Sequence, residues 1–231
     1  MSVTIKILDA SFPNKLFVVG FPYIKLATNA FLFGTNEEKS LKNIAPNGTG
    51  NATKYGNPIY GDGFATLSPE NYIGTSRPIA YKPITMIGVV RTDAQYAQYS
   101  MGTYRNNTKR GFMLYNNTNT LSVFIGDGTN AFDKAGVPFT AKTPSFKFVA
   151  MTFDGANIKT YGFDSTGVKT AIATGVSSAT TETCYFGGMP DIGPFDIAFG
   201  ATYDTVLTDS QINEIYQYTK SFLATRNVTV V

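Results

Sequence analysis

Ser145 to Lys169, reading SFKFVAMTFDGANIKTYGFDSTGVK, constrains the fold more than any other stretch. Phe146 to Phe153 is a run of aromatic and β-branched residues with no helix breaker inside and a stop at Asp154-Gly155, the pattern of a buried strand ending in a tight turn. Side chains alternate between the faces of a strand, so Phe148 and Ala150 point one way and Val149, Met151 and Phe153 the other. Apolar groups on both faces need cover on both, which makes the run a central strand inside a sandwich. Asn157 to Phe163 is its antiparallel partner. Asp-Gly supplies the positive dihedrals of a hairpin turn, and Ala156-Asn157 lengthen the loop beyond two residues.

Composition removes whole classes of function. The chain has no histidine, which eliminates Ser-His-Asp and Cys-His arrangements, the commonest general base near neutral pH, and the usual zinc and copper ligands. A single cysteine, Cys184, cannot form an internal disulfide, so stability comes from the core or from assembly, and a virion or a cytosolic origin fits. The net charge of +3 is small for 231 residues and the lysines and arginines are scattered, so no nucleic-acid footprint is expected. No apolar run is long enough to cross a bilayer, and the start, MSVTIKILDASFPNK, lacks the charged-then-apolar order of a secretory signal. The length suits one large β domain.

The first 29 residues read as an N-terminal arm ahead of a domain over residues 30–231. Met1 to Ile7 alternates Val3, Ile5 and Ile7 with polar residues, and Leu16 to Leu26 is interrupted by Gly20 and Pro22. The arm either completes the sandwich or anchors the chain to a larger assembly. Strands are expected at Ala30–Gly34, Phe64–Leu67, Tyr72-Ile73, Ile84–Val90, Gly111–Tyr115, Leu121–Ile125, Thr183–Phe186 and Phe195–Tyr203, with loops over Thr35–Tyr60 and Asp93–Gly102. Thr208 to Leu223 is the one helix. Thr208 and Gln211 have capping-box spacing, and Ile212, Ile215, Tyr216, Thr219, Phe222 and Leu223 share one face. Such a helix is expected to plug one edge of the sandwich.

The run from Phe146 to Gly155 resembles the tryptophan-x-x-valine-alanine-x-threonine-tyrosine-aspartate-glycine signature of laminin-G-like domains, members of the concanavalin A-like lectin/glucanase superfamily, with Phe146 in place of tryptophan. Ser40 to Pro46 ahead of Gly56-Asn57-Pro58 resembles the opening of phage-borne laminin-G-like proteins, and the stretch from Phe195 into the helix resembles the family's ending. The resemblance covers roughly Phe31 to Leu223. It implies an all-β, antiparallel β-sandwich (jelly roll, concanavalin A-like) with one C-terminal amphipathic helix. Fold does not fix function, so the sites need separate argument.

Glucanases of that superfamily carry a glutamate-x-aspartate-x-x-glutamate strand, which is absent here, and a glycosidase needs two carboxylates flanking one bond. No catalytic residue is assigned. No cofactor is expected; calcium, frequent in the superfamily the sequence resembles and held there by loop oxygens, is the one alternative. Asp127, Asn130 and Asp133 are the candidate ligands, with Asp191 and Asp196 a further pair; the competing reading makes these aspartates turn formers. For glycan contact, Tyr96, Tyr99 and Tyr104 interleave with Gln95, Gln98, Arg105, Asn106 and Asn107. Tyrosine offers an apolar ring face and a hydroxyl, which suits a sugar and a protein interface alike.

These readings converge on a non-enzymatic bacteriophage virion protein displayed on a tail, fibre or capsid surface and attaching to host glycans. A purely structural decoration protein and a bacterial carbohydrate-binding module are the alternatives. Expected partners are identical copies, a trimer first, or other virion proteins, and a cell-surface glycan; neither nucleic acid nor membrane insertion is expected.

Overall fold

The structure, a computed structural model, describes residues 20–48, 50–80, 83–92, 99–104, 110–117, 119–139, 144–175, 181–189 and 193–231. Short β-branched and aromatic runs, cut by Gly, Asn and Asp, form strands wherever a second strand can take up their backbone groups. The first part of the chain contributes β1 (Ala27–Leu32), α1 (Glu37–Leu41), β2 (Thr53–Tyr55), β3 (Ile59–Gly61), β4 (Phe64–Leu67), β5 (Tyr72–Ala80) and β6 (Ile84–Thr92). Then come β7 (Tyr99–Gly102), β8 (Arg110–Asn117), β9 (Thr120–Asp127), β10 (Ala131–Pro138), β11 (Lys147–Phe153) and β12 (Ile158–Asp164). The last part gives β13 (Gly167–Ala173), β14 (Thr181–Phe186), β15 (Phe195–Tyr203) and α2 (Asp209–Ala224).

The strands form two sheets. One runs β13-β12-β11-β6-β15-β4-β3, with β1 also paired to β15, and has eight strands; the other runs β10-β9-β8-β7-β14-β5-β2 and has seven. The run singled out in the sequence is β11, held between β6 and β12. Its two faces divide as alternation requires. Val149, Met151 and Phe153 enter the core between the sheets, while Phe148 and Ala150 enter a second core on the outer side of the eight-stranded sheet.

That second core is where the architecture departs from the expected edge plug. α2 lies over the outer face of the sheet, burying Ile212, Ile215, Tyr216, Thr219 and Leu223. Its start is set by the predicted capping box: Thr208 accepts from the Gln211 backbone N–H, and the Gln211 side chain accepts from the Thr208 N–H. The end of the arm helps to cover the same face. Phe21 lies 5.2 Å from the Phe199 ring and 5.6 Å from Tyr218, and the Tyr23 hydroxyl donates to Glu214 at 2.7 Å. Residues 1–19 lie outside the described part. Arg91 is set between the rings of Phe64 and Phe146, at 4.9 and 4.5 Å, and donates to Asp196 through Nε and Nη2.

Several loops expected from sequence are ordered. β1 starts at Ala27, three residues ahead of the expected boundary; the 35–60 segment holds α1, β2 and β3; the tyrosine loop ends in β7. β10 and β13 are strands for which the sequence carries no strand expectation. Both are edge strands with a mixed polar pattern, so they lack the two-faced signal that exposes a central strand.

The turn from β12 into β13 carries a pH-sensitive contact. Asp164 Oδ1 accepts from the Thr166 N–H and Oγ1, and Oδ2 pairs with Lys169 Nζ at 2.7 Å. Burial pushes the Asp164 carboxyl up, but the Lys169 and Thr166 contacts outweigh it and hold the pKa at about 2. A depressed folded-state pKa gives stability that is present above the unfolded value and is lost as pH falls through the folded one. Asp164→Asn should therefore destabilise at neutral pH, with the deficit shrinking as pH falls from about 4 toward 2. Denaturant melts of both proteins across that range check this; a pH-independent deficit would contradict it.

Candidate functional site: a tyrosine surface on the seven-stranded sheet

Of the residues expected to contact a glycan, Tyr104 is the one whose side chain is described, and it is buried. Tyr104 is 4% exposed, with its ring edge-on to Phe124 at 4.9 Å and 85°, so it offers no open stacking face. Tyr99 lies on β7, its backbone opposite Asn116 on β8, instead of in a loop. Tyr96, Arg105 and Asn106 lie outside the described residues.

An aromatic surface does exist on the same sheet, built from strands far apart in sequence. On β5 and β14, Ile73, Cys184 and Phe186 point into the core, so alternation turns Tyr72, Gly74 and Tyr185 outward. The β2–β5 register sets Tyr55 opposite Tyr72, and the β5–β14 register sets Gly74 opposite Tyr185. The three tyrosines therefore meet on one face. Tyr55 stacks on Tyr72 at 4.6 Å and 9°, and Tyr185 stands 5.9 Å from Tyr55 and 5.7 Å from Tyr72 at steep angles.

Gly74 is the floor of this cluster. A Cβ there would come within 3.0 Å of Tyr185 and 3.1 Å of Tyr55, so the rings close over a position where a side chain would have to push them aside. A Cβ at Gly188, where φ is +77°, would meet the Tyr72 ring at 2.8 Å. Tyr72 and Tyr185 are half-buried and Tyr55 is 38% exposed. The outermost ring thus presents an apolar face on rigid support, with exposed Thr53 and Ser76 on the same side. Such a surface can stack on the C–H face of a pyranose and hydrogen-bond its hydroxyls. Parity around Ile73 and Phe186 was the sequence signal for Tyr72 and Tyr185; nothing local marked their meeting with Tyr55.

Two of the candidate calcium ligands, Asp127 and Asp196, are held by other groups of the protein. Asp127 Oδ1 accepts from the N–H groups of Thr129 and Asn130, both at 2.8 Å, which makes it a turn former. Those bonds, Asn130 first, hold its carboxyl below the usual range. Asp133 belongs to β10, opposite Phe124, and not to the turn. Asp196 is held by Arg91 and accepts from Thr66 Oγ1 at 2.7 Å; Asp191 is outside the described residues. Among the described residues no group of three or more Asp, Glu, Cys or His could hold a metal ion.

A second concavity, of about 550 Å³, opens between the start of α2 and the β11–β12 turn. Asp209 at its rim takes Lys159 Nζ at 2.6 Å and the Tyr161 hydroxyl at 2.8 Å, Lys159 first among the contacts that lower its pKa. Across from it Asp154 is held low by the Asn157 side chain and by the N–H groups of Ala156 and Asn157. A glycosidase acid must be kept protonated near neutral pH. Neither carboxyl here is.

Two antiparallel sheets with one helix laid over them define a lectin-like jelly-roll sandwich. The chain is similar to the botulinum neurotoxin serotype D binding domain, with 13% identity and a TM-score of 0.64 over 84% of this chain and 52% of that one. It is also similar to the receptor binding domain of botulinum neurotoxin mosaic serotype C/D, at 14% identity and TM-score 0.60 over 84% of this chain and 51% of that one. The VIP36 exoplasmic/lumenal domain, in its calcium- and Man3GlcNAc-bound form, gives 13% identity and TM-score 0.57 over 80% of this chain and 93% of that one. The chain spans about half the length of the toxin domains it matches. At these identities the likeness establishes the fold alone. No family model matches the sequence, and no curated protein matches it.

Proposed function

We propose that this protein is a non-enzymatic attachment protein that binds glycan chains on a host cell surface through Tyr55, Tyr72 and Tyr185, displayed on a bacteriophage tail, fibre or capsid. The observation that carries the reading is the Tyr55–Tyr72 stack beside Tyr185 over Gly74. A rigid aromatic face on a sheet loses little conformational entropy when a ligand stacks on it. The likeness to a domain solved with Man3GlcNAc bound lends support. The virion setting draws on the sequence resemblance to phage-borne laminin-G-like proteins.

Replacing Tyr55 by alanine removes the most exposed ring and leaves the inter-sheet core untouched. Its affinity for host surface polysaccharide, measured by titration calorimetry, should fall about tenfold, or about 1.4 kcal/mol, with thermal unfolding almost unchanged. Unchanged affinity would move the site away from the tyrosines. If the unaltered protein binds no host polysaccharide, the glycan reading fails and the surface is a protein contact.

A further inference from the structure

β13 ends the eight-stranded sheet, and among the described residues no strand pairs with its outer edge. Natural sheets blunt such edges with proline, bulges or charge. β13, reading GVKTAIA, contains no proline, its register with β12 runs unbroken from Ile158↔Ala173 to Asp164↔Gly167, and its one charge, Lys169, is paired with Asp164 at 2.7 Å. Ala171 and Ala173 pack toward the inner core, so alternation turns Val168, Thr170 and Ile172 to the side that carries α2. All three are β-branched. Val168 is 54% and Ile172 62% exposed. Each also borders a hollow: Val168 one of about 290 Å³ beside Tyr216 and Lys220, Ile172 the cleft of about 550 Å³ beside Asp209.

This edge is complementary to itself. In an antiparallel register centred on Thr170, Val168 faces Ile172 of a second copy, Thr170 faces its own counterpart, and Lys169 faces alanine. β-branched cross-strand pairs are favourable, and no like charges meet directly. The ends also differ in sign. Asp154, Lys159 and Asp209 at the Ile172 end leave one net negative charge, and Asp164, Lys169 and Lys220 at the Val168 end leave one net positive charge. A two-fold axis sets the acidic end of one copy beside the basic end of the other.

We propose that β13 pairs antiparallel with β13 of a second copy of this chain about a two-fold axis at Thr170, joining two eight-stranded sheets edge to edge. An isologous contact of this kind closes at two copies, so it builds a dimer, not the trimer expected from sequence. The proposal stands independently of the glycan reading. With both in place, two tyrosine surfaces ride on one particle and weak contacts gain avidity.

The full chain should sediment as a dimer that dissociates on dilution over roughly a hundredfold range of concentration. Val168→Lys with Ile172→Lys, both at exposed positions, should weaken the dimer at least about tenfold while leaving thermal unfolding unchanged. Register is tested by cross-linking. Opposed residues of an antiparallel pair have Cα atoms roughly 4.5–5.5 Å apart, within disulfide reach, so Thr170→Cys should give a covalent dimer on mild oxidation and Lys169→Cys should not. Cys184 is buried and does not interfere. A full chain that is monomeric at every concentration overturns the proposal. So does an oligomer that tolerates both lysines, or one in which Thr170→Cys fails to cross-link.

Discussion

Phe153→Ala should lower the unfolding free energy by about 3–5 kcal/mol in denaturant melts. Phe153 is 1% exposed and closes the end of β11, opposite Ile84 on β6 and Ile158 on β12. Across the sandwich its ring centroid lies 6.4 Å from that of Phe112, so truncation leaves a cavity lined by both sheets. Neighbouring backbone is tied into two ladders and cannot collapse to fill it. Phe132, 46% exposed on the edge strand β10, provides the contrast: Phe132→Ala should change stability by less than about 0.5 kcal/mol. A deficit below about 1 kcal/mol for Phe153→Ala would remove β11 from the centre of the sheet.

Phe148→Ala should cost about as much, roughly 3–5 kcal/mol, by a different route. Phe148 sits on the other face of the same strand, with its ring edge-on to Phe163 at 5.2 Å and near Tyr216 of α2 at 5.5 Å. Loss of that ring undermines the seat of the helix. Five positions along a strand separate Phe148 from Phe153 by roughly 16 Å, and the two belong to different cores, so their effects should add within about 0.5 kcal/mol. The double variant would then lose about 6–10 kcal/mol, comparable with the whole stability of an ordinary domain, and should be unfolded without denaturant. Equilibrium melts of the two single variants, with circular dichroism of the double, test this. A double variant no worse than either single one would mean that the strand has only one buried face.

The tyrosine surface was hard to find in the sequence because chemical density is not exposure. Three tyrosines close together in the 96–104 stretch looked like a contact loop, yet Tyr104 is spent on packing against Phe124. The tyrosines that do cluster come from β2, β5 and β14, and each is unremarkable in its own segment. Their shared face exists only because the register places Tyr55 opposite Tyr72 and Gly74 opposite Tyr185. Register is a property of pairs of strands.

Local rules carried much of the rest. The two-faced run at Phe146–Phe153 determined a central strand and which of its side chains go to which side. The Thr208–Gln211 spacing determined where α2 begins, and its apolar stripe determined which residues it buries. These follow from strand alternation, helical periodicity and capping, which act within a few residues. What the helix would cover was decided only by the tertiary structure: the eight-stranded sheet is apolar on both faces, so α2 and the Phe21 segment lie across the outer face, not at an edge. The same holds for β10 and β13, whose mixed patterns gain strand geometry from a neighbour's backbone. Asp127 belongs with the local rules instead: its carboxylate takes N–H groups only two and three residues on, which is the turn that an aspartate-glycine pair favours.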